Sequence, residues 1–387
     1  VNSNRAHLQA VSFAALLASA VVAVLLVLCE RAEHRYIYAF APELSDVKLQ
    51  GVALQKTAFQ QPDLLVLYGS SELVKEVPNR ATDFFSQFPT GFRVFPVGKA
   101  GAISLANLLK VAAVGDTMRG KKVALSISPS FFFTDTVNEG FYEGNFSALQ
   151  AQELVFSGVL SQQLKHDAAR RMRQYSGTTD GNWLLDFTLD RLAAGSGLDH
   201  ALYSAVWPLG KLSNAIARAQ DHIEAGLEIM DSASPDTEPM KKMGGVNWKE
   251  VLRRASEQKA IAKDAKLTKR PKGSRDASFI AALTAADEWD DFDLVLRTLR
   301  ELGAQPMLIS MPLHGPDLEI TGVSAEARRK YGEKLTALAS RHSVELVYFQ
   351  QFEEDPNFFA DHLDHPGAKG WALYNKELDE FFHQSTN

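Results

Sequence analysis

Apolar positions change their period several times along the chain. Between Ala10 and Cys29 only Ser12 and Ser19 interrupt an apolar run, and twenty such residues rise about 30 Å as a helix, enough to cross a bilayer core. A second run, Leu64-Leu65-Val66-Leu67-Tyr68, ends in Gly69-Ser70-Ser71-Glu72-Leu73. This pattern predicts a buried strand, a tight turn and a helix start. Arg93 to Val97 reads as a second strand interrupted by Pro96, with Gly98-Lys99-Ala100-Gly101 as its turn. Leu105 to Val114 has helical spacing, Gly120-Lys121-Lys122 breaks it, and Val123 to Ile127 is a third strand running into Ser128-Pro129-Ser130-Phe131-Phe132-Phe133. Strand and helix alternate, as in a parallel sheet covered on both faces.

The alternation then stops. Leu160 to Tyr175, Trp183 to Leu192 and Ala201 to Leu227 are amphipathic and helical, residues 231–275 read as solvated loop and helix, and no strand-like run stands between them. The Arg170-Arg171-Met172-Arg173 cluster reads as a solvated helix face rather than a patch for an anionic polymer or lipid. Alternation resumes with a helix from Trp289 to Gly303, a strand from Met307 to Met311, a helix capped by Ser324, a strand from Val344 to Phe349 and a closing helix from Gly367 to Phe382. The expected fold is α/β: a three-layer, flavodoxin-like parallel sheet of about five strands with a helical insertion, plus one N-terminal transmembrane helix. The chain divides into a tail (1–9), a membrane helix (10–29), a polar stalk (30–60), the first part of the α/β domain (61–140), a helical insertion over the active edge of the sheet (141–285) and the second part of the domain (286–387).

Composition narrows the function classes. A net charge of −6 argues against nucleic acid as a partner, because phosphate binding needs clustered Lys and Arg. Cys29 is the single cysteine, which excludes an intramolecular disulfide and a multi-cysteine zinc site. The apolar run reads as an uncleaved anchor, with a cleaved signal peptide as the rival; bulky Leu28 before Cys29 disfavours a lipoprotein signal. Arg5 precedes the run while Arg31 and Arg35 follow it, so charge bias leaves the topology open.

Ligands of such sheets bind beyond the strand C-termini, where Ser71, Gly98, Ser128, Pro312 and the loop 361–365 gather. Near the C-terminus stands Asp361-His362-Leu363-Asp364-His365-Pro366-Gly367. A serine becomes a nucleophile when a base accepts its proton and a third group orients that base; Ser71, His365 and an aspartate just upstream supply such a set. The developing oxyanion needs fixed donors, for which the Ser71 N–H and the turn around Gly98 and Gly101 are candidates, with Ser70 and Ser128 as further substrate-binding positions. Plainer roles exist for each: Gly-Ser turns are common, and a histidine often packs at a helix start. Neither a metal nor a cofactor is expected. His362 and His365 lie near two aspartates but no second ligand pair accompanies them, and no phosphate-binding glycine motif occurs.

Taken in order, Gly69-Ser70-Ser71-Glu72-Leu73, Gly98-Lys99-Ala100-Gly101, Gly120-Lys121-Lys122, Ile127-Ser128-Pro129-Ser130-Phe131-Phe132, Leu313-His314-Gly315 through Gly322-Val323, Ala327-Arg328-Arg329 to Tyr331, and His365-Pro366-Gly367-Ala368-Lys369-Gly370-Trp371 resemble the DltD family. The likeness runs from the anchor nearly to the C-terminus. It implies a single-pass, membrane-anchored relative of the SGNH hydrolases with its catalytic domain outside the cytoplasmic membrane. Such proteins act in D-alanylation of teichoic acid, beside a membrane-bound O-acyltransferase (DltB-like) that receives D-alanine from a carrier protein, with an anionic cell-envelope polymer as acceptor. By position, Ser71 takes the place of the nucleophile and His365 that of the base.

Two departures stand out. The family's aspartate position, three before the histidine, is His362 here; a one-residue loop insertion would restore Asp361, and Asp364 is the rival. Phe131 stands where tryptophan is frequent. Three functions remain open: acyl transfer; an esterase, thioesterase or O-acetyltransferase partner on a cell-surface glycan; or a non-catalytic partner of a carrier protein and a membrane acyltransferase.

Overall fold

The computed structural model describes residues 2–134, 139–179, 181–232, 245–258, 267–362 and 364–384. Five short strands, β1 (Leu64–Gly69), β2 (Arg93–Gly98), β3 (Lys122–Ile127), β4 (Gln305–Ser310) and β5 (Glu345–Tyr348), form one sheet in the order β2-β1-β3-β4-β5. Every neighbouring pair is parallel. This is the flavodoxin-like order, whose topological switch lies between β1 and β3. Side chains alternate across the sheet: Leu64, Val66 and Tyr68 enter one core, and Leu65 and Leu67 the other. A strand buried on both faces has no use for polar positions, which is why β1 reads as an unbroken apolar run.

Pro96 is inside β2 after all, in register with Leu67. The proline is tolerated because β2 is an edge strand, whose outward side needs no ladder donor. The cap expected at Ser324 is also present: its hydroxyl accepts from the Ala327 N–H at 3.2 Å and starts the helix Ala325–His342.

The N-terminal helix is longer than the apolar run, spanning Asn2–Phe40. Its most apolar window has a mean hydropathy of 2.8 and none of it is buried, so it is long and apolar enough to cross a membrane. Beyond that window, Cys29, Ile37, Tyr38 and Phe40 are buried against the domain. The segment expected as a stalk behaves differently: residues 30–40 continue the helix, and Leu54, Ala58 and Phe59 of the helix Ala53–Gln60 enter the core. Polar residues such as Gln55 misled the reading, since its amide is itself buried and bonded to Lys48 and Gly51 carbonyls.

Within 141–285 the described residues form helices without strands; part of the loop expected over 231–275 lies outside the described residues. The helix Gly197–Ser232 runs along the N-terminal helix, whereas Asp276–Ala285 packs on the turn that follows β3. Only the second of these borders the C-terminal edge of the sheet. The arginine cluster is a solvated face only in part: Arg170 is exposed, whereas Arg171 pairs with buried Asp291 at 2.6 Å and Arg173 with Asp190 at 2.8 Å, clamping neighbouring helices together.

Candidate active site

β1 delivers the chain to Gly69, which faces Gly98 at the end of β2. A Cβ on Gly98 would stand 2.7 Å from Leu73 Cδ1 and 2.9 Å from the Gly69 carbonyl, so glycine is what lets the two turns close on each other. Ser70 then ties them: its hydroxyl accepts from the Ala102 N–H at 3.1 Å and reaches the Lys99 carbonyl at 3.4 Å. Gly101 takes φ +75° within that second turn, a left-handed geometry that other residues adopt at a cost. Buried Glu72 braces the first turn from below, one carboxylate oxygen accepting the Ser70 N–H at 2.8 Å. Burial pushes its carboxyl pKa up, against that backbone bond.

Ser71 opens the short 3-10 helix Ser71–Leu73, half-buried, with its Oγ 2.8 Å from His365 Nε2. The two residues are brought together by a loop that folds back on itself. Phe359 bridges Pro366, and the Ala360 N–H donates to the His365 carbonyl at 2.9 Å. Inside this loop Asp361 turns under the imidazole, its carboxylate 2.8 Å from His365 Nδ1. A carboxylate only accepts, so Nδ1 carries the proton and Nε2 turns its lone pair to the serine hydroxyl. Lys75, one turn after Ser71, pairs with the same Asp361 oxygen.

The charges reinforce this order. Burial raises the Asp361 pKa, but the bonds from His365 and Lys75 and their charges prevail and hold it well below the usual carboxylate range. For His365, burial pulls the pKa down, while the bond to Asp361 and the negative charges of Asp361 and Asp364 outweigh it and raise it above the ordinary imidazole value. Asp361 therefore stays ionised beside an imidazole that is a stronger base than usual.

The rival aspartate does something else. Asp364 Oδ2 accepts from Ser128 Oγ at 3.0 Å and from the Ser130 N–H at 2.9 Å, so it holds the turn after β3 against the 361–365 loop. Ser128 is engaged in that bond and in a 3.2 Å contact with Ser130 Oγ. Of the positions singled out from the sequence, Ser71, His365 and Asp361 form one hydrogen-bonded line; Ser70, Gly98 and Gly101 build the turn beside it; Ser128 and Asp364 form a separate support. Phe131 packs edge-on against Phe141, ring centroids 5.8 Å apart. Two partners escaped the sequence reading. Glu72 was part of the quoted motif but had no assigned task, and Lys75 carried one available signal, its spacing of four from Ser71, which returns a side chain to the same side of a helical turn.

Known proteins resemble this chain along most of its length. The family model described as DltD protein matches residues 41–383. A Bacillus subtilis (strain 168) protein named Protein DltD is 27% identical over 362 residues, covering 88% of this chain and 88% of that protein. Proteins of the same name from Staphylococcus aureus, 21% identical over 349 residues (87% and 85% covered), and Lacticaseibacillus rhamnosus, 22% identical over 370 residues (91% and 85% covered), are similar too.

Proposed function

The chain belongs to the DltD family, and from that premise we propose that it is a membrane-anchored, extracytoplasmic serine acyltransferase that passes D-alanyl groups to teichoic acid or a related cell-envelope polymer through Ser71, His365 and Asp361. The observation that carries this reading is the unbroken line of two 2.8 Å contacts from Ser71 Oγ through the imidazole to Asp361. Ser71 Oγ attacks the acyl carbonyl as His365 Nε2 takes the hydroxyl proton. The tetrahedral oxyanion is held by backbone N–H groups of Ser71 and of the Gly98–Gly101 turn. As it collapses, the bond to the donor's oxygen or sulfur breaks, and His365 returns the proton to that leaving atom. An acceptor hydroxyl then repeats the sequence in reverse: it gives its proton to Nε2, forms the ester, and Ser71 recovers its proton from His365. Asp361 keeps the neutral imidazole in the required tautomer and stabilises the imidazolium that forms, and Lys75 keeps Asp361 ionised.

The acyl donor in this reading is a membrane-bound O-acyltransferase charged from a carrier protein, and an N-terminal helix long and apolar enough to cross a membrane supports a position in the same bilayer. Hydrolysis uses the same groups with water as acceptor, so the transferase reading rests on family membership.

Labelling of the detergent-solubilised protein with a fluorophosphonate probe tests the chemistry. Labelling is expected to disappear in Ser71→Ala and His365→Ala and to persist in Ser70→Ala. Folded wild-type protein that does not label would overturn the catalytic reading and leave a non-catalytic partner of the acyltransferase in its place.

A further inference from the structure

We propose that His314, Asp317 and His362 form a binding site for a divalent transition-metal ion of the zinc class, beside the catalytic loop. The sequence argued against a metal because His362 had no second ligand pair within its own segment. The fold supplies that pair from an upstream segment, Asp317 standing 45 residues before His362 and His314 three residues further back. β4 leads into Pro312 and Leu313, and His314 sits at the N-cap of the short helix Gly315–Ile320 with Asp317 in its first turn. Residues three apart on a helical turn share one side, so a His-x-x-Asp step aims both groups at the loop carrying His362.

The donor atoms of the three residues all lie within 4.8 Å of one another. His362 Nδ1 is 2.6 Å from one Asp317 oxygen and His314 Nδ1 is 3.4 Å from the other. The two imidazole centroids stand 5.9 Å apart. Modest side-chain rotations bring such a set to the about 2.0–2.2 Å that zinc takes from nitrogen and carboxylate oxygen. The side chains of His314 and Asp317 are 14% exposed and that of His362 28%, so an ion would be shielded by protein on one side. On the other side the cluster borders a cavity of about 540 Å³, also lined by Ser130, Phe133, Phe279 and Asp364. Three protein ligands facing an open cavity leave a fourth position for water or a substrate oxygen. Two imidazoles with one carboxylate suit a borderline cation; magnesium and calcium prefer all-oxygen shells.

The ion would also fasten the loop 361–365 to the turn after β4, one residue from Asp361. The site binds its cation whether or not Ser71 is acylated, so this inference stands apart from the acyl-transfer reading.

Tag-free full-length protein in detergent, stripped with a chelator and dialysed, is titrated with Co²⁺ and then with Zn²⁺. One equivalent of Co²⁺ is expected to give a visible absorption band that Zn²⁺ bleaches and that excess Mg²⁺ or Ca²⁺ leaves in place. His314→Ala and His362→Ala should each abolish the band, and Asp317→Asn should weaken Co²⁺ binding at least tenfold, with circular dichroism confirming that each variant is folded. His362→Gln serves if the alanine variant unfolds. Absence of a stoichiometric band in the wild type, or a band that survives in the folded histidine variants, overturns the proposal and leaves the cluster as a hydrogen-bonded clasp.

Discussion

Asp361 has two proton-donating neighbours, the His365 ring and the Lys75 ammonium, and the pH behaviour expected of Ser71 follows from them. Probe labelling needs neutral His365. Because the His365 pKa is raised, labelling should be lost as pH falls through a midpoint above the ordinary imidazole value, and be complete on the alkaline side. Asp361→Asn removes the negative charge that raises it, and the charge-assisted character of the bond, while burial remains. The midpoint should therefore move to lower pH, and the residual rate should fall by about 10⁴-fold, the cost typical of losing the orienting acid of a triad. Labelling rates measured between about pH 5 and 9 read both effects, and an unmoved midpoint would remove Asp361 from its proposed place. Asp364→Asn should behave differently. It disturbs the bonds to Ser128 and Ser130, costs about 1–3 kcal/mol of stability, and shifts the midpoint less, since its effect on His365 is through charge alone. Thermal melts beside the labelling curves separate the two aspartates. Ser71 and His365 were legible because each sits in a segment with its own local signature. The choice between Asp361 and Asp364 was less so, because it depends on the Phe359–Pro366 bridge, a contact no local pattern announces.

Elements that bury a whole strand or a whole helical face were the easiest to read. β1 declares itself by an unbroken apolar run, β3 and β4 by short apolar stretches between polar residues, and the helix Ala325–His342 by its cap and spacing. The arm from Ala41 to Gln60 was harder, because its polar side chains satisfy themselves inside the protein: buried Lys48 donates to the Ala41 and Glu43 carbonyls at 2.6 and 2.7 Å. Composition cannot distinguish such groups from solvated ones. β2 was legible as a short strand weakened by Pro96, and its edge position explains why the proline is tolerated. The meeting of β1 and β2 at paired glycines makes a direct prediction. Gly98→Ala places a methyl against the Gly69 carbonyl and Leu73, and overpacking of this kind costs about 1–3 kcal/mol. Denaturant unfolding should register that loss. The displaced Ser71 turn should slow probe labelling more than the melting change alone accounts for, and a variant that labels at the wild-type rate would show that the turn is less tightly set than the contacts imply.

On the scale of the whole molecule, the N-terminal helix and the domain meet through the helix Gly197–Ser232. Gly226 is the contact point, since a Cβ there would fall 2.5 Å from Cys29 Cβ. Gly226→Leu should push the two helices apart and raise the rate of limited proteolysis between residues 30 and 45 several-fold, with labelling of Ser71 kept; unchanged proteolysis would mean the docking does not depend on that close approach. The wild-type helix runs from Asn2 to Phe40 without interruption and is gripped over its last turns by the domain it carries. Among the described residues, no loop separates the apolar span of that helix from the part packed on the domain. On the membrane-anchored acyl-transfer reading proposed above, the chain would work as a fixed post rather than a tethered float: Ser71 would keep one altitude and one bearing above the lipid, and encounters would be set by how densely acyl donors and polymer ends populate that thin layer, not by the reach of a linker.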